Sequence, residues 1–221
     1  RRKMKNQEDI TIVDNFKDLI LGDYLEILAI YKDDSLDELD KQVKTIAFLS
    51  GKDEDFILNL PIYDYQALSS KLSYLFGELP TEETRLEDSY NIGNFELIPV
   101  TDMRKVITAQ YIDFQSFHQA GMEEHFAEIL SCLLVPKGKK YNQDYDILEV
   151  QSAIRNELSV YDAASLYAFF MISCRESIRD MLIFSLQEAK RIQDKTERER
   201  IMAQIQAQIT LLQTNGDGSP M

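Results

Sequence analysis

Cysteine, histidine and tryptophan are scarce in this sequence: its 221 residues include two cysteines, two histidines and no tryptophan. Both cysteines, Cys132 and Cys174, lie inside apolar runs, which predicts buried free thiols in a reducing compartment. A disulfide framework and a dithiol redox motif are therefore excluded. Apolar residues make up 44% of the chain, which is enough to form a hydrophobic core.

Positive charge is also in short supply. Lysine and arginine number 24 against 38 aspartates and glutamates, which gives a formal net charge of −14. Because binding to nucleic acid or to an anionic membrane requires a basic face, this balance argues against both as general partners.

Long hydrophobic runs are missing as well. The most apolar segment, AASLYAFFMI at residues 163–172, is about half as long as a membrane-spanning helix requires. The basic N-terminus, RRKMKNQED, is followed by no apolar region of the kind found in signal peptides. We therefore expect a soluble protein that is not exported.

Apolar residues recur mainly at helical spacing. A capping box that starts at Ser35 predicts the beginning of one helix, and Gly51 predicts its end. A second capping box joins Ser159 to Asp162. The helix that follows has apolar residues at intervals of four, namely Leu166, Phe170, Cys174, Ile178, Leu182 and Leu186. Its segment 163–172 is apolar nearly all round, which predicts a buried central helix.

Extended structure is predicted in two short segments. β-Branched residues open the segment 10–21, and residues 90–100 predict a hairpin whose two-residue turn is Gly93-Asn94. We expect the hairpin to pair with the segment near Ile10 or to lie on the helices. Helical spacing then resumes and is predicted to stop at Pro136.

Together these patterns predict a mainly α fold, with a multi-helix globular domain, a small β-hairpin and a long C-terminal helix. The main predicted range is a mainly helical domain at 10–186, which contains an exposed linker at 77–89 and the hairpin at 90–100. A protruding helix follows at 187–213. The two ends, 1–9 and 214–221, are predicted to be disordered. Within the protruding helix, mixed charges predict a solvated stretch with an Asp194–Arg198 ion pair.

No group of residues predicts catalysis, a cofactor or a metal site. The acidic run 53–55 suits the first turn of a helix, and its neighbours supply no catalytic partner. His118 and His125 are interpreted as surface helix residues, because the duplicated Glu-x-x-His pattern of di-iron sites is absent. There is no Gly-x-Ser-x-Gly elbow, and apolar surroundings raise the pKa of a thiol. The chain is predicted not to be an enzyme.

One turn is rich in lysine. The segment LLVPKGKKY contains Lys137, Lys139 and Lys140. It is not a phosphate loop, because Leu133 stands where that motif needs glycine and Lys140 where it needs serine or threonine. Two roles stay open: cations that stabilise the carbonyl end of a helix stopped by Pro136, and an exposed patch that steers an acidic partner, including another copy of the chain.

The last predicted helix carries a narrow apolar stripe. Its members recur at intervals of three or four: Ile201, Ile205, Ile209 and Leu212. Such a row on an otherwise polar helix predicts contact with a partner helix or with a second copy. The alternative is that the helix folds back on its own domain. This stripe and the three lysines are the candidate partner-binding residues.

Five segments of the chain, in order, resemble a known group of proteins: LGDYLEI, IAFLSGKDEDFILNLP, FELIPVTDMRKVITAQYIDF, LLVPKGKKY and SVYDAASLYAFFMI. They are similar to small helical tail-region proteins of tailed bacteriophages that look like tail assembly chaperones. The resemblance covers roughly residues 10–175 and consists of hydrophobic and turn patterns. It implies a protein that binds tape-measure and tail-tube proteins in the host bacterial cytoplasm.

The C-terminal helix departs from that group. This departure leaves open a second role, as a structural virion protein at the head–tail junction or packaged in the particle. The partners implied by the resemblance are other phage structural or tail proteins. The apolar stripe adds a homo-oligomer formed through the C-terminal helix.

Overall fold

The computed structural model describes residues 10–79 and 86–214, and for residues 212–214 it describes the backbone alone. The predicted disordered N-terminus, the centre of the predicted linker and all but the first residue of the predicted tail lie outside these residues. The described chain is mainly α, as predicted, with a small sheet and a long C-terminal helix.

Two compact units share the described residues. Unit 1 contains residues 10–79, 86–99 and 107–167, and unit 2 contains residues 100–106 and 168–214. These units differ from the predicted ranges 10–186 and 187–213, which stay sequence-based predictions.

Unit 1 is built from helices and one sheet. Its first half contains α1 (Leu21–Lys32), α2 (Glu38–Ser50), α3 (Glu54–Leu58) and α4 (Ile62–Lys71), which continues into a 3₁₀ turn at Leu72–Phe76. Its second half contains strands β1 (Tyr90–Ile92) and β2 (Phe95–Pro99), helices α5 (Thr108–Ala120) and α6 (Phe126–Ser131), strand β3 (Leu134–Pro136), helix α7 (Ile147–Glu157) and the beginning of α8 (Val160–Ala189). Unit 2 contains a 3₁₀ turn at Met103–Lys105, the rest of α8 and α9 (Lys195–Thr214).

Both predicted capping boxes correspond to helix starts, but one cap is shifted. Ser159 caps α8 as predicted: its hydroxyl accepts from the Asp162 amide at 3.0 Å and donates to the Asp162 carboxylate at 2.7 Å. At α2 the cap is Asp37, whose carboxylate accepts from the amide three residues on at 2.8 Å, so the prediction of Ser35 is wrong. A charged acceptor is the stronger partner for amides at the positive end of a helix. Gly51 ends α2 with a φ of 64°, as predicted.

The sheet has three antiparallel strands in the order β1-β2-β3. The predicted hairpin is confirmed, with Gly93 at a φ of 57° in its turn, and β1 lies against α7. Of the two alternatives for the packing of the hairpin, contact with the helices is the one observed, and the segment near Ile10 is not its partner. The second strand β2 pairs instead with β3, which places Leu97 opposite Pro136. The predicted helix up to Pro136 is also wrong. The helix α6 ends at Ser131, and the chain continues into an edge strand, which tolerates a proline without an amide donor.

The N-terminal segment joins the start of α8 through backbone hydrogen bonds. The Leu21 amide donates to the Leu158 carbonyl and the Val160 amide to the Leu19 carbonyl, both at 2.8 Å. All four side chains are buried. Residues 10–14 have no regular secondary structure. Within the described structure, the predicted extended segment 10–21 forms one isolated β-bridge, between Ile20 and Ser159, the residue before α8.

A second region of the core lies among the first helices of unit 1. Its buried residues come from the N-terminal segment, α2, α3, α4 and the 3₁₀ turn: Ile12, Val43, Ile46, Ala47, Ile57, Leu68 and Leu72. These positions follow the predicted helical spacing, because each helix turns one apolar side toward the others.

In unit 2 the predicted protruding helix is interrupted. Residues 190–194 separate α8 from α9. Asp194 caps α9 by accepting from the Glu197 amide at 2.8 Å, and Arg198 donates to the Ile192 carbonyl at 3.3 Å. The predicted Asp194–Arg198 ion pair is therefore wrong. An aspartate is favoured as a cap because its carboxylate satisfies an amide that has no partner within the helix.

Burial along α8 only partly follows its apolar spacing. Leu166, Phe170 and Leu182 are buried, as predicted. Ile178 is 41% exposed and Ile172 is 52% exposed, so the prediction that both belong to the core is wrong. Helical periodicity indicates that a helix has an apolar face, but a helix with several apolar faces does not indicate which one is covered.

Replacing Phe170 by alanine is expected to lower the free energy of unfolding by about 3–5 kcal/mol, because it removes a buried ring and leaves a cavity. The matched control is Ile172→Ala, at an exposed position of the same helix, which should cost less than about 1 kcal/mol. Urea unfolding followed by circular dichroism measures both values. Equal losses for the two variants would contradict the burial described for this helix.

Candidate interaction surface

The predicted stripe on α9 is mostly covered. Ile201 and Ile205 are half-buried, and Ile209 is 8% exposed. The side chain of Leu212 lies outside the described residues. Ile209 therefore has little surface to offer a partner, and contact between this stripe and another chain stays a prediction.

Large apolar side chains are exposed instead on the unit 2 part of α8. They are Met171, Ile172, Ile178, Met181, Ile183 and Phe184. At about 100° per residue, Ile178, Met181 and Phe184 follow one another along one side of the helix, and we call them the α8 stripe. Ile172 and Ile183 share nearly the opposite side, which we call the Ile172–Ile183 face.

The α8 stripe is a continuous apolar row. Met181 is 58% exposed and Phe184, one turn away, is 61% exposed. Contiguous apolar surface marks an interaction site, whereas scattered single residues do not. The sequence contains a signal for it: the run MLIF at 181–184 is apolar at four consecutive positions, and a helix cannot direct all four into one core.

Unit 2 also differs from the rest of the chain in charge. Its described residues include nine lysines and arginines and seven aspartates and glutamates, whereas the whole chain has a formal charge of −14. The acidic excess therefore lies outside these residues. The exposed apolar residues of α8 belong to the part of the chain that repels an anionic partner least.

Neither cysteine has the surroundings of an activated nucleophile. Both are free thiols, as predicted, but Cys174 is only half-buried. Burial raises the pKa of the Cys132 thiol to about 11 and that of the Cys174 thiol also to about 11. At pH 7 only about one thiol in ten thousand is then ionised, so neither is poised to attack a substrate.

Cys132 belongs to a buried polar network in unit 1. Its Sγ lies 3.4 Å from the Tyr141 hydroxyl, which donates to the Asp113 carboxylate at 2.9 Å. The Gln110 side-chain nitrogen donates to the Cys132 carbonyl at 2.6 Å. Burial raises the pKa of Tyr141, so its hydroxyl stays protonated and able to donate. The network ties the loop after β3 to α5.

The two histidines belong to an aromatic cluster, which corrects their interpretation as surface residues. A hydrogen bond of 3.0 Å joins the Tyr167 hydroxyl to Nε2 of His118, and the two rings stack. His125 lies beside Phe117, with its Nδ1 3.9 Å from the Glu128 carboxylate. Within the described residues, no three His, Cys, Asp or Glu side chains are grouped so that they could hold a metal ion.

The lysine turn follows a strand, so the interpretation of these lysines as a helix-end cap is wrong. The Lys137 amide donates to the Glu96 carbonyl at 2.8 Å, and its ammonium group pairs with the Glu96 carboxylate at 2.7 Å. Gly138 has a φ of 74°, and the Lys139 amide closes the turn on the Pro136 carbonyl at 2.9 Å. Lys137 therefore extends the contact between β2 and β3 beyond the last strand residue.

The other two lysines remain available to solvent. Lys139 and Lys140 are exposed, and in the part of the chain that the structure describes neither forms an ion pair. A role in steering an acidic partner is consistent with this exposure and stays a hypothesis.

No known protein family, curated protein or solved structure matches this chain. The resemblance to tail assembly chaperones therefore stays an expectation that rests on the five sequence segments. Among the described residues, no helix is both long and apolar enough to cross a membrane.

Tyr141→Phe is expected to lower the free energy of unfolding by about 1–3 kcal/mol, because the Asp113 carboxylate loses the hydroxyl that donates to it. The control is Tyr63→Phe, which removes a hydroxyl from a side chain that is 81% exposed and should have no measurable effect. Thermal unfolding of both variants tests this. A Tyr141→Phe variant as stable as the control would mean that the network does not stabilise the fold.

Replacing Lys139 and Lys140 together by glutamate is expected to change the free energy of unfolding by less than about 0.5 kcal/mol, because both are exposed. If these lysines steer acidic partners, the double variant should also bind poly-glutamate more slowly and with a weaker dependence on salt. Surface plasmon resonance at low and high ionic strength measures both effects. Identical association rates for the variant and the unmodified chain would rule out steering.

Proposed function

We propose that this chain is a non-enzymatic protein-interaction component of a tailed bacteriophage that assists tail assembly by binding tape-measure and tail-tube proteins. It acts in the host bacterial cytoplasm, where those partners are assembled. The observation that carries the proposal is the exposure of large apolar side chains on two sides of α8.

The Ile172–Ile183 face binds the client. Ile183 is 42% exposed, and it lies eleven positions after Ile172, which corresponds to about 16 Å of helix. A partner helix of three turns has the same length. Its apolar residues can pack on Ile172 and Ile183, and its polar residues can pair with Glu176 and Arg179, which lie between them on this side of the helix. Such packing removes apolar surface from water on both partners, which is the main favourable term in association.

The charge of the chain favours a basic client. A formal charge of −14 attracts partners that carry lysine and arginine, and long-range attraction raises the association rate at low salt. The client segment that fits is therefore an amphipathic helix with an apolar face and with basic flanks, which the acidic residues outside unit 2 attract at long range. This combination is what we expect of the tape-measure segment that the chain binds.

A structural virion protein, at the head–tail junction or packaged in the particle, is the second candidate. The observation that favours it is α9, a helix of 20 residues that lies beyond the region resembling tail assembly chaperones. A long additional helix is a means of holding a subunit in a permanent assembly.

Mass spectrometry of purified virions separates the two candidates. We expect an assembly factor to be absent from the particle or present far below one copy per structural ring. A constant copy number in every preparation would overturn the assembly role and favour the structural one.

Capture of the client tests the binding face. The chain is expressed together with the tape-measure and tail-tube proteins of the same phage, and both should be recovered on the tagged chain. Ile172→Glu with Ile183→Glu should abolish recovery, because two charges would be buried without partners. The control is Leu148→Glu, at a position of α7 that is 69% exposed, which should bind like the unmodified chain. Failure to recover either protein, or full recovery by the double variant, would contradict the proposal.

A further inference from the structure

We propose that a second copy of this chain covers the α8 stripe, in an antiparallel pairing of two α8 helices whose two-fold axis passes at Met181. This inference rests on the proposed function, since it assigns one exposed side of α8 to a second copy and leaves the Ile172–Ile183 face to the client. It also moves the expected homo-oligomer contact from the C-terminal helix to α8.

The spacing of the stripe makes it self-complementary. Ile178 lies three residues before Met181, and Phe184 lies three residues after it. In an antiparallel pairing centred on Met181, Ile178 of each copy therefore packs against Phe184 of the other, while Met181 packs against its counterpart. A two-fold symmetric interface requires this kind of patch, because each residue must find its partner on an identical surface.

Charge favours α8 as the place where two copies meet. The copies repel each other through the acidic excess, which lies outside the described residues of unit 2. The charged residues next to Met181 are Arg179 and Asp180, whose opposite charges lie 4.0 Å apart on the same helix. Their fields largely cancel, so pairing at the stripe avoids the repulsion that any contact between acidic regions would meet.

This arrangement predicts an unusual response to salt. Screening weakens the overall repulsion between two anionic copies and leaves the apolar contact intact, so dimerisation should strengthen as ionic strength rises. Binding of a client with basic flanks should instead weaken with salt, because screening reduces the attraction. The opposite salt dependences distinguish a second copy from a basic client as the occupant of the stripe.

Sedimentation equilibrium tests the pairing on the full chain. We expect a mass of twice 25.6 kDa at high concentration and of 25.6 kDa on dilution. Met181→Glu should raise the dissociation constant by about a hundredfold or more, because two like charges would meet at the axis. Ile183→Glu on the opposite side of α8 is the matched control and should dimerise normally, and circular dichroism should be unchanged in both variants.

A crosslink tests the position of the axis without removing apolar surface from the rest of the stripe. Met181→Cys places one thiol from each copy at the axis, so mild oxidation should yield a disulfide-linked dimer in high proportion. Ile183→Cys and the unmodified chain, whose cysteines are Cys132 and Cys174, should stay monomeric on a non-reducing gel. A crosslink at position 183 but not at 181 would overturn the proposed pairing.

The outcomes separate this inference from the proposed function. A chain that is monomeric at every concentration and salt, yet captures its client, overturns the dimer alone. A chain that dimerises through Met181 but captures neither tail protein supports the dimer and overturns the proposed function. If Met181→Glu still dimerises, the copies meet elsewhere and this inference is wrong.

Discussion

Two buried backbone hydrogen bonds between the N-terminal segment and the start of α8 are the constraint on which unit 1 depends. One is donated by Leu21 and the other by Val160, and they join residues about 140 positions apart. Buried amides and carbonyls must be paired, so neither segment can move without leaving both unsatisfied. Gly22 belongs to the same junction, because a Cβ there would lie 2.8 Å from the Arg155 carbonyl oxygen. Glycine therefore permits α1 and α7 to approach each other closely.

The same helix that begins at this junction supplies the exposed apolar surface. Near its start, α8 is buried at four consecutive positions, 163–166, as a helix surrounded by other elements must be. Further along α8, some apolar side chains are buried against other described residues and others are exposed to solvent. Exposure of these apolar side chains to water is unfavourable. Association with another helix removes them from water and is therefore favourable.

Local charge balance supports the proposed interactions of α8. The acidic excess of the chain lies outside the described residues of unit 2, whereas the exposed apolar side chains of α8 lie within unit 2, where charges of both signs are nearly balanced. Polar side chains of types that often act in catalysis form other contacts here. Cys132 and Tyr141 belong to a buried network, and His118 belongs to an aromatic cluster. These assignments are consistent with a binding role, for which the exposed side chains of α8 supply the surface.

Local chemistry was enough to predict the mainly helical character of the chain, the cap at Ser159, the end of α2 at Gly51 and the hairpin, because each depends on residues within a few positions of one another. The candidate surface on α8 was not predicted, since the sequence analysis placed the partner-binding residues on α9 and in the lysine turn. Strand β3 was missed because the strand it pairs with lies far away in the chain. The sequence by itself determined which residues of α8 are apolar. Only the tertiary structure decided which of them are covered, because coverage comes from residues distant along the chain.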